Sequence, residues 1–281
     1  MEAGVTEAAP GTLFVVSTPI GNMGDFSFRA VEVLKTVDAV LAEDTRHSRH
    51  LLDRYEITTP LVPYHEHNEA KSIPRLIARL QSGERLALIS DAGTPLLSDP
   101  GARLVRAAVD ADIVVSPVPG ASALLAALVA SGLELERFTF YGFLPRKGSD
   151  RRQLLAEVVA LRHAAVIYEA PSRVAGTLAE LAQAGGGERE TVVARELTKQ
   201  YEELRRGTVA ALAAYYHGAP PRGEVVIVIA GATAPSGATE DELRSRAAEL
   251  RAQGHSPRDI AAALASELGA PRNLAYRLAH E

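Results

Sequence analysis

The chain has 281 residues, 47% hydrophobic and 23% charged, with a formal net charge of −5 and no cysteine. This excludes disulfides, thiolate metal sites and cysteine nucleophiles, and it argues against indiscriminate coating of nucleic acid. No apolar run approaches the roughly 20 residues that cross a bilayer; the acidic start MEAGVTEAAPG also lacks the basic and apolar regions of a secretion signal, so a short disordered lead on a cytoplasmic protein with no membrane contact is expected.

Short apolar runs then alternate with helical periodicity through the first 117 residues. LFVVS (13–17), AVLA (39–42), LALIS (86–90) and IVVSP (113–117) read as buried strands. Between the first two, Ser27 can cap a helix that carries Ala30, Val31, Leu34 and Val37 on one face. SIPRLIARLQSGE (72–84) gives another helix, stopped at Gly83. This alternation predicts a largely parallel sheet covered on both faces.

After SPVPG (116–120), the Ala/Leu-rich ASALLAALVASGL (121–133) reads as a buried helix. Strands follow at FTFYGFLP (138–145), AAVIYEAP (164–171), TVVAREL (191–197) and EVVIVIAG (224–231), the last free to lie antiparallel because it needs no helix after it. The expected organisation is an N-terminal α/β domain over 11–117, a C-terminal α/β domain over 118–232 and a helical tail over 240–281. GATAPSGATE (231–240) has linker composition. In the tail, Ser256 is an N-cap with Pro257 at the first helical position, Gly269 marks a turn and Pro271 restarts a helix carrying Leu274, Tyr276 and Leu278. That pattern is helix-turn-helix-like.

The informative loops follow the first strands: TPIGNMGD (18–25), EDTRHSRH (43–50) and DAGTPLLSDPG (91–101). Ligands of open parallel sheets sit at the carboxyl ends of strands, so loops this rich in Asp, Gly and Pro mark one edge as a site. No G-K-[ST] follows the glycines, so none of these loops is a Walker loop; the missing G-x-S-x-G elbow and G-x-G-x-x-G fingerprint argue against a serine hydrolase of that class and place a nicotinamide oxidoreductase further behind. His65 and His67 flank Glu66 in YHEHNE (64–69), but no third ligand is evident and no metal is expected.

TPIGN, AEDTR, HEHN, SDAGTPLLSDPG, PGASA, FYGFLPR, YEAPSR, ARELTKQYEE and RGEVVIVIAG occur in one order from about Leu13 to Gly231. Together they resemble the tetrapyrrole (corrin/porphyrin) methylase superfamily, and within it the branch that methylates a cytidine ribose 2′-oxygen of small-subunit (16S) ribosomal RNA. TPIGN stands where tetrapyrrole-directed members carry G-x-G-P-G, and DAGTP where they carry G-G-D-P. The resemblance implies two α/β domains of the tetrapyrrole methylase type with the small helical tail, S-adenosylmethionine as cofactor, the small ribosomal subunit as partner and a homodimer.

S-adenosylmethionine has no phosphate, so no phosphate-cradling glycine series is needed. By resemblance, Pro19 stiffens the first loop and Gly21 lets backbone approach the cofactor, with Asp91, Gly93, Thr94 and Leu97 in the second cofactor loop. Ser122 and Ala123 offer helix-start N–H groups, while Tyr168, Ala194 and Val225 line the adenosine. Glu43, Asp44 and His67 are candidate bases for the 2′-hydroxyl, with Arg46 orienting a phosphate or a carboxylate. Lys147 and Lys199 are alternative proton acceptors, and Glu43 with Asp44 is alternatively a structural pair held by Arg46. Arg46, His47, Arg49, His50 and Arg54, with Arg146, Lys147, Arg151 and Arg152, are candidate phosphate contacts. Rival readings are a tetrapyrrole methyltransferase and a cofactor-sensing helix-turn-helix DNA-binding protein.

Overall fold

The computed structural model describes residues 11–232 and 238–281. The lead at 1–10 and the linker positions 233–237 lie outside the described residues. One compact unit comprises 11–159 with 163–230, and a second comprises 160–162 with the described residues from 231 to 281.

In the first unit, chain order runs β1 (Thr12–Val16), α1 (Phe28–Thr36), β2 (Ala39–Ala42), α2 (Thr45–Arg54), β3 (Leu61–Pro63), α3 (Glu69–Gln81), β4 (Leu86–Ile89), α4 (Ala102–Asp110) and β5 (Val114–Val118). The five strands form one sheet in the order β3-β2-β4-β1-β5, every neighbouring pair parallel. Side chains alternate between its faces. Val16, Val40, Ala87 and Ile89 join Ala30 and Leu34 of α1 on one side; Leu13, Leu41, Leu86 and Leu88 join Leu76, Leu80 and Leu104 on the other. Ser27 caps α1 by accepting from Ala30 N, as its sequence predicts.

The second sheet follows. Its elements are α5 (Ala123–Ser131), β6 (Phe138–Phe143), α6 (Ser149–Ala160), β7 (Ala164–Glu169), α7 (Val174–Leu181), β8 (Glu190–Arg195), β9 (Glu203–Thr208), α8 (Val209–Gly218) and β10 (Val225–Ile229). The order is β6-β7-β10-β8-β9, and β10 lies antiparallel to both β7 and β8. Two strands escape the sequence patterns: β3 is three residues long and ends in Pro63, and β9 (ELRRGT) is a polar edge strand.

The helical unit holds α9 (Glu240–Ala252), α10 (Pro257–Leu268) and α11 (Arg272–His280). Leu243, Leu250, Ile260, Leu264 and Leu278 are buried together. Ser256 caps α10, and Gly269 closes it in the left-handed conformation. The sequence pattern shows α10 and α11 but not α9, which Thr239 and Glu242 open with a capping box.

Connections leave β1 toward one edge of the first sheet and β4 toward the other, so the crevice between these two strands is a topological switch point. The loops after both strands meet there. Thr18 N donates to Gly93 O at 2.8 Å, and Gly93 N returns to Thr18 O at 3.2 Å. The second loop closes on Gly101 (φ +128°), where an added Cβ would lie 2.5 Å from Leu88 Cδ2. Buried Glu69 holds that end, accepting from Gly101 N at 3.2 Å and from Tyr64 Oη at 2.8 Å. Gly101→Ala should therefore destabilise the chain by about 2–3 kcal/mol in urea unfolding, combining backbone strain with a core collision.

Candidate active site

A cavity of about 400 Å³ lies over this crevice and within the first unit. Nine of the residues expected from sequence line it. Glu43 follows β2; Asp91, Gly93, Thr94 and Leu97 follow β4; Ser122 and Ala123 open α5; Tyr168 and Val225 come from the second sheet. The volume lies within the roughly 300–1,000 Å³ of small-molecule sites.

Its walls are cross-tied. Ser17 Oγ donates to Thr94 Oγ1 at 3.1 Å, and Thr94 Oγ1 donates to Ala121 O at 3.2 Å. Tyr168 Oη accepts from Leu124 N at 3.2 Å, satisfying a donor of the first turn of α5. Ser122 Oγ accepts from Leu125 N, so its hydroxyl caps its own helix while the residue faces the cavity. Gly93 sits at φ +83°, where an added Cβ would come 3.2 Å from Ile20.

Of the carboxylates that line the cavity, Glu43, Asp91 and Asp99 follow strands of the first sheet, and Glu169 and Glu224 come from the second. Burial, and then the charges of Glu43 and Asp91, push the Asp99 carboxyl up to about 6. Glu43 is also raised, first by burial and then by Asp91, with nearby His65 acting in the opposite direction. Asp91 is anchored, its Oδ1 accepting from Asp44 N at 3.2 Å. The site therefore concentrates negative charge in a half-enclosed space, which suits a cation. Among the described residues, no cluster of three or more His, Asp or Glu is arranged to hold a metal ion.

Sequence reasoning passes over Asp99. The signal is present, because the loop writes Ser-Asp-x-Gly twice, as Ser90-Asp91-Ala92-Gly93 and Ser98-Asp99-Pro100-Gly101. Phe143, Glu169 and Glu224 also line the cavity; they fall within FYGFLPR, YEAPSR and RGEVVIVIAG, where the sequence reading gave them no role.

Other expected residues lie elsewhere. Pro19 is buried outside the lining. Gly21 meets Lys199, whose side chain an added Cβ would strike at 2.4 Å, and Asn22 N donates to Thr198 Oγ1; the tip of TPIGN therefore packs on the loop after β8. Ala194 is fully buried among Leu124, Val192 and Val226, because its side chain faces α5 from mid-sheet. Asp44 caps α2, accepting from Arg46 N and His47 N, and its Oδ2 pairs with Arg46 at 3.3 Å. The structural pairing is thus Asp44 with Arg46, and Glu43 stands apart in the cavity. Arg46 is 92% exposed, and His67 is exposed outside the lining, its ring 6.0 Å from that of His65.

The alternative lysine bases fare differently from Glu43. Burial pulls the Lys199 ammonium down, but its hydrogen bonds and ion pairs with Glu224 and Glu196, both at 3.0 Å, outweigh that and leave it raised. It stays protonated through neutral pH. Lys199→Met, which keeps the aliphatic stem against Gly21, should leave the acid limb of a pH–rate profile in place. Lys147 is exposed on the loop after β6.

The basic clusters also separate. Arg146, Lys147 and Arg152 are exposed, as are Arg46, His47, His50 and Arg54, with Arg49 half-buried. Arg151 is buried, a correction to its expected phosphate role. Its guanidinium donates to Glu180 at 2.8 Å, Thr177 Oγ1 at 2.9 Å and Pro145 O at 3.1 Å. Thr177 Oγ1 in turn donates to Glu169 Oε2 at 2.6 Å.

The sequence description of the tetrapyrrole (corrin/porphyrin) methylases matches residues 12–213, and the chain belongs to this family. It is 47% identical over 274 residues to the ribosomal RNA small subunit methyltransferase I of Synechocystis sp., covering 96% of this chain and 98% of that one. It is 48% identical over 274 residues to the protein of the same name from Pseudomonas aeruginosa, covering 96% of each. Among solved structures, uroporphyrin-III C-methyltransferase from Thermus thermophilus, complexed with S-adenyl homocysteine, is similar with a TM-score of 0.56 at 18% identity, over 78% of this chain and 97% of that one. A cobalt precorrin-4 methyltransferase has a TM-score of 0.57 at 16% identity, over 78% and 94%. At these identities the structural likeness is one of fold.

Proposed function

We propose that the chain transfers a methyl group from S-adenosylmethionine to the ribose 2′-oxygen of a cytidine in 16S ribosomal RNA, acting on the small ribosomal subunit in the cytoplasm. The observation that carries this reading is the acidic cavity at the switch point. Glu43, Asp91 and Asp99 present anionic groups to a cationic ligand, beside the small residues Gly93 and Ala123. The named relatives supply the RNA substrate.

When bound there, S-adenosylmethionine supplies a methyl group on a positively charged sulfur. The chain's residues hold and orient. Gly93 and Thr94 form the backbone cradle, the start of α5 offers N–H groups at Ser122 and Ala123, and Tyr168 and Val225 line the second-sheet wall. In-line placement of the 2′-oxygen supplies much of the acceleration. Glu43 and Asp99 are the carboxylates placed to accept the hydroxyl proton, and the raised Asp99 value lies near working pH, where a general base is most effective. Arg46, held by Asp44 and exposed, is available to a backbone phosphate.

The two sheets are read as two halves of the catalytic body, joined near residues 117–120. A homodimer is part of the reading; β5 carries the exposed apolar Val114, and α5 the exposed Leu125 and Val129. Sedimentation velocity at micromolar concentration should give the dimer mass; a monomer would remove that part.

Methyl-labelled S-adenosylmethionine offered with unmodified small subunits, protein-free 16S RNA and a tetrapyrrole precursor tests the substrate. Label entering RNA in the subunit sample is expected. Label entering the tetrapyrrole would replace the substrate while keeping the cofactor. Binding without transfer would favour a sensor.

A further inference from the structure

Phe143 stands apart from the other aromatic residues of the site. It ends β6, an edge strand of the second sheet, and its side chain lines the cavity although the residue is 58% exposed. A register irregularity between Phe140 and Phe143 puts it there. Gly142 sits at φ +60°, and an added Cβ would meet Ser98 Oγ at 2.9 Å. Ser98 itself holds φ +75°, a conformation that is costly for a residue with a side chain, and Asp99 follows it. Bulges beside sites commonly re-aim a single side chain. Here the irregular segment of β6 and the acid-bearing loop pack together, and Phe143 emerges beside Tyr168, with ring centroids 5.6 Å apart and planes tilted by 60°.

Charge decides what such a ring receives. The cavity carries Glu43, Asp91, Asp99 and Glu224, so a phosphodiester entering it meets repulsion. A nucleobase is neutral and offers a π-face. The cations nearest in sequence, Arg146 and Lys147, are exposed three and four residues beyond Phe143, outside the lining. An RNA strand therefore meets favourable charge outside the cavity and an aromatic face within it.

We propose that Phe143 is the stacking platform for the base of the target nucleotide, with Arg146 and Lys147 holding flanking phosphates. The inference rests on the ribosomal RNA reading above and adds the subsite that receives the base. Recognition of an unstacked base on an aromatic ring is the common mode for single-stranded RNA. It also explains the exposure of a large apolar side chain where leucine would fill the same position without stacking.

The test measures kcat/KM for unmodified small subunits and, by calorimetry, the affinity for S-adenosylmethionine, in wild type, Phe143→Leu and Phe143→Tyr. Phe143→Leu should lower kcat/KM by about tenfold or more, in line with the loss of one base–aromatic stack, with cofactor affinity within about twofold of wild type. Phe143→Tyr should restore most of the rate. Arg146→Ala with Lys147→Ala should weaken subunit binding and flatten its salt dependence. An unchanged kcat/KM in Phe143→Leu, or no recovery in Phe143→Tyr, would overturn the platform. A matching fall in cofactor affinity would assign the ring to the cofactor and also overturn it. Wild type failing to methylate subunits would reject the parent reading, and the platform with it.

Discussion

Asp99→Asn should lower the single-turnover methylation rate by about 10²- to 10⁴-fold, the span of a general-base contribution, while raising thermal stability at pH 7. Both effects have one origin. Burial and the neighbouring Glu43 and Asp91 raise the Asp99 carboxyl to about 6, so its ionised form is disfavoured in the folded chain. The folded state holds that proton more tightly than the unfolded chain. The associated stability is present at acid pH and is lost as pH rises from the unfolded value of about 3.9 through the folded value of about 6. Asparagine does not titrate, so the variant should pull ahead across that window and keep its lead above it. The residue is partly exposed, and screening reduces the gain to about 1–2 kcal/mol. Saturating S-adenosylmethionine should narrow the gap, because its positive charge relieves the repulsion. Melting curves from pH 4 to 8, with and without cofactor, check the sign. The wild-type rate should fall below pH 6 as the base is protonated. A variant that loses rate and stability together at pH 7 would show that Asp99 is only a structural group.

Arg151→Ala should destabilise the chain by about 3 kcal/mol and drop the melting temperature accordingly. The guanidinium holds Thr177, Glu180 and the Pro145 carbonyl in a buried network that continues through Thr177 to Glu169, a carboxylate lining the cavity. Removing it leaves Pro145 O without that donor and Thr177 without its hydrogen-bond partner on one side. Glu180 is 43% exposed and turns to water, which keeps the loss below that of a fully buried pair. Arg152→Ala, one residue on and exposed, should change stability by less than about 0.5 kcal/mol. Urea titration of the two variants separates the structural arginine from the surface one.

That contrast shows what the sequence reveals and what it hides. DRR at 150–152 reads as one basic run, but α6 turns adjacent residues about 100° apart, so Arg151 faces the core and Arg152 faces water. The first sheet was legible because Val40, Leu41, Ala87 and Leu88 form short apolar runs buried on both faces. The polar edge strand β9 and the three-residue β3 carry no such run. The cavity was legible where loops follow parallel strands, which brings Glu43, Asp91, Gly93 and Thr94 to one edge by topology alone. Ala194 could not be separated from core packing, because a small residue in a buried strand reads the same in either role. Asp44 and Glu43 are adjacent in sequence, and only the N-terminus of α2 decides that Asp44 caps while Glu43 faces the cavity.

The most direct measurement is the position of the methyl group itself. Unmodified small subunits are reacted with the protein and methyl-labelled S-adenosylmethionine, the RNA is digested to nucleosides, and fragment masses are read. The account predicts one labelled nucleoside, a cytidine whose added methyl stays with the ribose fragment. A methyl that stays with the base fragment, or label in a nucleoside other than cytidine, would contradict it.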